Sequence, residues 1–170
     1  AINCAVFLAM VLHGVSALGP TADQLMVWGA NNAGSVLISD QWWRVVTAMF
    51  VHVGIIHLAT NMWCLWNLGL LAEPLMGSFG VAAVYILTGA AGNLLSVFWN
   101  ARHLSVSLFD QQLQHQVFYP LTYFSPGAGA SGAVFGIAGA LIVLLKSPRL
   151  PVPPEELKRL RKSVIYFAAI

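Results

Sequence analysis

The sequence predicts an all-α fold, a polytopic membrane bundle of about four complete spanning helices and the start of a fifth. Three observations carry this expectation. Apolar residues make up 58% of the 170 and charged residues 8%, with a mean hydropathy of +0.75, a balance typical of helical membrane proteins. Apolar runs recur along the chain, closed by glycine, proline or charge. Six of the eight Lys and Arg (Lys146, Arg149, Lys158, Arg159, Arg161 and Lys162) fall after the last complete run. By the positive-inside bias the loop 146–162 is cytoplasmic, which orients the whole bundle. The lipid bilayer is therefore an expected partner, and no nucleic acid is expected.

The first helix is expected over 2–18, ending at Gly19-Pro20. No basic segment precedes it, so it reads as a spanning helix rather than a signal peptide. Ala1 stands inside an apolar run and Ile170 at the start of another, so the sequence reads as cut at both ends. Cys4 and Cys64 both lie in apolar helices and are expected to be buried free thiols. The outer loop 19–52 mixes Trp28, Asn31, Asn32, Asp40, Trp42, Trp43 and Arg44. It is too polar to span and rich in the aromatics that favour the headgroup level, either as an anchoring belt or as a gate.

The second helix is expected over 53–72, closed by Glu73 and Pro74. His57, Thr60, Asn61, Cys64 and Asn67 recur along it at steps of three and four, which puts them on one polar face. Such a face turns into the bundle, either to join helices or to do chemistry. A third helix is expected over 78–99, with a small, polar seam at Gly89, Gly92, Asn93 and Ser96. An outer loop over 100–130 follows, with glutamine-rich and aromatic patches. The fourth helix is expected over 131–145, and a partial fifth over 163–170.

One stretch organises the rest: Pro126-Gly127-Ala128-Gly129-Ala130-Ser131-Gly132. A helix from Ser131 to Leu145 spans roughly 22 Å, against about 30 Å of hydrocarbon. With Lys146 at the cytoplasmic face, Ser131 lies below the outer face. Its glycine-rich approach is then irregular backbone at membrane depth, tolerated only in protein or beside a wet cavity. Up-and-down topology brings His52, His57 and Asn61 to the same depth. A serine at a helix start has free N–H groups and the positive dipole end beside it. His57 and Asn61 add two side-chain donors, which together make an oxyanion hole with Ser131 as nucleophile. A channel would instead show ionisable groups along a path, whereas the fourth helix is apolar below Ser131.

These motifs together resemble the rhomboid family of intramembrane serine proteases. The resemblance rests on Trp43-Arg44, on His52 followed by His57-x-x-x-Asn61, on Gly69-x-x-x-Glu73-x-x-x-Gly77, and on Gly129-Ala130-Ser131-Gly132. It implies Ser131 as nucleophile, with His57, Asn61 and the Ser131 backbone as oxyanion hole. It implies that His52 shapes the outer loop and pocket, and that Trp43, Arg44 and Glu73 are structural supports. Phe135 stands where the family sets an aromatic ring against its catalytic histidine. The implied substrates are transmembrane segments of other proteins, cut near their outer ends, with the site open to the extracytoplasmic side. No metal or organic cofactor is implied. The family's general base is a histidine on a sixth core helix, yet no histidine follows His115 here. His13, His103 and His115 do not suit the geometry of a base. The expectation is therefore a protease whose base these 170 residues lack. The alternative is an inactive protein of the same fold that binds transmembrane helices.

Overall fold

In a computed structural model of the chain, residues 2–114, 126–147 and 150–168 are described. Within them the protein is all-helical, without strands, in the order α1 (Ile2–Leu12), α2 (Ala22–Val27), α3 (Ala33–Leu37), α4 (Arg44–Thr47), α5 (Ile55–Gln114), α6 (Ser131–Leu144) and α7 (Pro154–Ala168).

Several boundaries differ from the expected ones, each for a local reason. The first helix stops at Leu12 rather than 18. Gly14 takes φ +86°, and the Val15 and Gly14 N–H groups donate to the Met10 and Val11 carbonyls at 3.0 Å each. That pairing is the glycine-closed helix end, and it satisfies carbonyls that would otherwise be orphaned. The outer loop 19–52 holds three short helices. Thr21 and Gln24 cap α2 reciprocally, and the Asn32 side chain accepts from Gly34 and Ser35 at the start of α3.

Glu73 and Pro74 do not close the second helix. Helical structure runs through Pro74 to a break at Gly77 (φ 71°, ψ 163°), and the Glu73 carboxylate accepts a hydrogen bond from the Ser78 hydroxyl across that break. The helix then continues to Gln114, where a loop from residue 100 had been expected. No glycine or proline occurs over 93–119, so nothing in the sequence stops it. The expected aromatic patch (Phe118, Tyr119, Tyr123 and Phe124) and His115 lie outside the described residues. Finally, α7 begins at Pro154, inside the expected loop 146–162 and well before 163. Proline fits a first helical position, and Glu155 and Glu156 complement the dipole behind it.

Among the described residues one helix is long and apolar enough to cross a membrane, over Ile55–Ala101. Helix length and composition therefore do not by themselves reach the expected count of four spans. The break at Gly77 folds α5 into two arms lying side by side. Asn3 of α1 touches both: its amide lies 2.9 Å from the Tyr85 hydroxyl on the second arm and 3.8 Å from the Met62 sulfur on the first. Large apolar side chains on α5 point outward, Trp63, Trp66, Leu70, Phe79, Leu87 and Leu95 among them. Apolar exposure on this scale marks a surface covered by something other than water. The expected burial of both thiols is also corrected: Cys4 is exposed on α1 and Cys64 half-buried, and both are free.

The core lies where α6 packs on the second arm of α5. Gly132 meets Gly92 and Gly89 backbone to backbone. One turn on, Gly136 admits Thr88 so closely that an added Cβ would lie 1.9 Å from its hydroxyl. Small residues four apart let the two backbones approach, which is how apolar helices gain contact in a membrane. Leu157 and Val164 of α7 belong to the same buried core as Ile137 and Leu141 of α6.

Candidate active site

The turn before α6 is held in place by backbone pairing. Asn31 and Gly127 exchange N–H···O bonds of 2.7 Å in both directions, and Gly129 N–H donates to the Ala48 carbonyl at 2.9 Å. The Asn31 amide in turn donates to the Asn93 carbonyl (2.9 Å), and the Asn93 amide to the Val45 carbonyl (2.8 Å). Buried Asn31 and half-buried Asn93 thus tie the outer segment, α5 and the serine turn into one unit. The sequence reading gave no role to Asn31 or Ala48. A polar residue in an otherwise interfacial segment was the only available signal.

Helix α6 starts at Ser131 with no side-chain cap, so its first N–H groups face outward from the helix end without intrahelical partners. The first arm of α5 supplies the opposite wall. Ser131, His57, Asn61 and Phe135 line one cavity of about 260 Å³. Thr60 and Cys64 of the polar face also reach it, and Leu68, Val134 and Ala138 make its floor apolar. Asn67, further along the same face, instead bonds the Trp63 carbonyl at 2.7 Å and stays out of the cavity.

Gly129 sets the distance between the two walls. It has φ +123°, and a Cβ added there would lie 2.4 Å from Cε1 and 3.0 Å from Nε2 of His57. The Cε1–Nε2 edge of the imidazole is therefore turned to the serine turn, and only glycine leaves room for it. Asn61 is 6% exposed, and its amide donates to the His57 carbonyl at 2.9 Å. One of its two amide hydrogens is engaged there and the second remains for the cavity.

The other residues singled out by sequence stand behind this constellation. His52 is completely buried and lies outside the cavity lining, with its ring centroid 5.4 Å from that of His57. Burial pulls its imidazole from the ordinary 6.5 down to about 4, against the nearby Phe50 carbonyl, so the ring is neutral at physiological pH. Buried Arg44 donates to the Met26 and Ala30 carbonyls and to the Gln41 side chain, at 2.7, 2.9 and 2.5 Å. Its guanidinium sits 4.5 Å above the Trp43 ring. Glu73 is at the far end of the arm, clasping the Gly77 break. His13 caps the end of α1, 5.5 Å from Trp28 and away from the cavity. The side chain of His103 lies outside the described residues.

A serine at an uncapped helix start thus faces a histidine and an asparagine across a small cavity. A family sequence model, described as "Rhomboid domain", matches residues 39–169, and the chain belongs to the rhomboid family, an integral membrane family. It is 31% identical over 167 residues to "Rhomboid protease AarA" of Providencia stuartii, covering 97% of this chain and 56% of that protein. To "Rhomboid protease GluP" of Bacillus subtilis (strain 168) it is 31% identical over 149 residues, covering 88% of this chain and 24% of the relative. "RHOMBOID-like protein 2" of Arabidopsis thaliana is 35% identical over 119 residues, 70% of this chain and 31% of its own. The chain thus spans from about a quarter to just over half of the length of these relatives. No solved structure gives a significant match.

Proposed function

We propose that this chain carries the nucleophile and oxyanion hole of an intramembrane serine endopeptidase that cuts transmembrane segments of other membrane proteins. The observation that carries the reading is the single cavity shared by Ser131 at an uncapped helix start and by His57 and Asn61 across from it. Ser131 Oγ attacks the scissile carbonyl carbon while a general base takes its proton. The resulting oxyanion receives hydrogen bonds from His57 Nε2–H, the free Asn61 amide hydrogen and the Ser131 N–H, each worth about 2.7–4 kcal/mol of barrier in such sites. Collapse expels the amine, which takes up the proton held by the base, and a water that gives its proton to the same base then hydrolyses the Ser131 ester. Gly132 keeps the serine helix close to α5. Trp43, Arg44 and Glu73 support the outer segment and the hairpin.

In this reading the two arms of α5, 55–76 and 78–101, each meet the roughly 20 residues needed to cross the hydrocarbon. They span the bilayer with α1 and α6 in a multi-pass bundle, and the charged first part of α7 lies at the membrane face. The basic segment after α6 is cytoplasmic, and the cavity opens to the extracytoplasmic side. The base is a histidine that these 170 residues do not supply, so the 170-residue chain alone is expected not to cleave.

A second reading is favoured by one observation: the described cavity lining holds no histidine besides His57. On that reading the protein binds transmembrane helices without cutting them. The test is reconstitution of the complete protein in vesicles with a fluorescently labelled transmembrane segment. Cleavage near the outer end of that segment, abolished in Ser131→Ala, is the expected result. Binding without cleavage supports the second reading, and equal cleavage by Ser131→Ala removes Ser131 from the mechanism.

A further inference from the structure

We propose that the outward face of α7 binds the headgroup of an anionic phospholipid, with Lys158, Arg159 and Lys162 around the phosphate and Tyr166 beside the acyl chains. The leaflet, which is the cytoplasmic one, rests on the orientation proposed above for the basic segment.

Helix α7 has two unlike faces. Leu157 and Val164 are buried in the core built on α6 and Leu160 packs against it, at steps of three and four that define the inner face. Lys158, Lys162 and Tyr166 recur at steps of four on the outward side, and all three are exposed. Arg159 and Ser163 stand beside them in a parallel row. This face holds a surface cavity of about 340 Å³, lined by Glu155, Lys158, Arg159, Lys162, Ser163 and Tyr166.

Three cations thus share that cavity with one carboxylate. Arg159 lies 3.7 Å from Glu156, but both side chains are more than half exposed, and water leaves such a pair little strength. Lys158 and Lys162 have no anionic partner among the described residues. Like charges one turn apart repel along a helix, and an anion seated between them relieves that repulsion.

The change of character along the stripe selects the anion. Past Lys162 the helix carries no further charge, and Ile165 and Tyr166 are 45% and 70% exposed. Tyr166 lies four residues beyond Lys162, roughly 6 Å further along the axis. The matching ligand is negative at one end and apolar at the other. Inorganic phosphate lacks the second end, whereas an anionic phospholipid of the adjoining leaflet presents both in this order. Clustered Lys and Arg at the cytoplasmic surface attract anionic lipid, and tyrosine favours the level of the membrane interface.

The test titrates the complete protein in detergent with phosphatidylglycerol and, separately, with phosphatidylcholine, and counts bound lipid by native mass spectrometry. Wild type is expected to bind phosphatidylglycerol at least about tenfold more tightly. Lys158→Gln and Lys162→Gln should each weaken that binding about fivefold, and the double variant about 25-fold. Lys146→Gln removes an exposed charge outside the cavity and should keep the preference. Glycerophosphoglycerol, the same headgroup without chains, should not compete. Equal affinity of wild type for the two lipids overturns the proposal, and so does a double variant with the wild-type Kd. A comparable loss in Lys146→Gln assigns the preference to overall surface charge, and competition by glycerophosphoglycerol assigns the cavity to soluble phosphates; either result also overturns it. Orientation is read separately, by treating sealed cells with a membrane-impermeant amine reagent. Labelling of Lys158 and Lys162 from outside refutes the cytoplasmic leaflet and leaves the titration as found. A failed titration in a protein that cleaves normally removes the lipid site alone.

Discussion

Gly129→Ala is expected to lower the cleavage rate of the complete protein by about two to three orders of magnitude, the loss typical of one missing oxyanion donor. The residue has φ +123°, and the new methyl would lie 2.4 Å from His57 Cε1 and 3.0 Å from Nε2. Backbone strain at such a position costs about 1–3 kcal/mol, so some loss of stability accompanies the loss of rate. The larger effect comes from the ring, which must rotate or retreat from the serine turn. Its Nε2–H then no longer points where the oxyanion forms. The loss should fall on kcat rather than KM, because the displaced donor acts on charge that appears only in the transition state. Steady-state kinetics on a labelled transmembrane segment check this, and an unchanged kcat in Gly129→Ala would show that His57 is not held against that glycine.

The second large effect is on stability. Gly136→Ala is expected to destabilise the protein by about 1–3 kcal/mol, as other small-to-large changes do in close-packed interiors. The added Cβ would lie 1.9 Å from Oγ1 and 2.2 Å from Cβ of Thr88, and a branch carbon cannot swing away as a chain end can. The hydroxyl is also committed, donating to the Val84 carbonyl at 2.7 Å. Either α6 shifts outward or Thr88 gives up that bond. Gly139 provides the internal control, since an added Cβ there meets nothing within 4 Å. Thermal unfolding in detergent should show a lower midpoint for Gly136→Ala and none for Gly139→Ala. Equal midpoints would contradict the close packing of α6 on α5.

What could be read from the sequence was what rests on short-range chemistry. The serine at a helix start and the spacing of His57 and Asn61 by one turn are local facts, and up-and-down topology was the ground for expecting them at one depth. The structure puts those three with Phe135 around one cavity. What could not be read depended on backbone detail or on distant partners. Gly14 ends α1 because a positive φ there completes a helix-closing pair of bonds, whereas Gly19-Pro20 was the stronger sequence signal. Pro74 stays inside a helix because the turn is made three residues later at Gly77, with Glu73 and Ser78 bridging it. The pairing of Asn31 with Gly127 joins residues far apart in the chain, and nothing local announces it. His52 was visible as a companion of His57, but its complete burial and its exclusion from the cavity emerge only from packing.

The central claim is that Ser131 is an activated nucleophile in this cavity, and covalent capture tests it most directly. The complete protein in vesicles is treated with a fluorophosphonate, and the modified peptide is located by mass spectrometry. The adduct is expected on Ser131, absent in Ser131→Ala and slower to form in His57→Ala. A protein that cleaves transmembrane segments while Ser131 stays unmodified, or that carries the adduct on another residue, would contradict it.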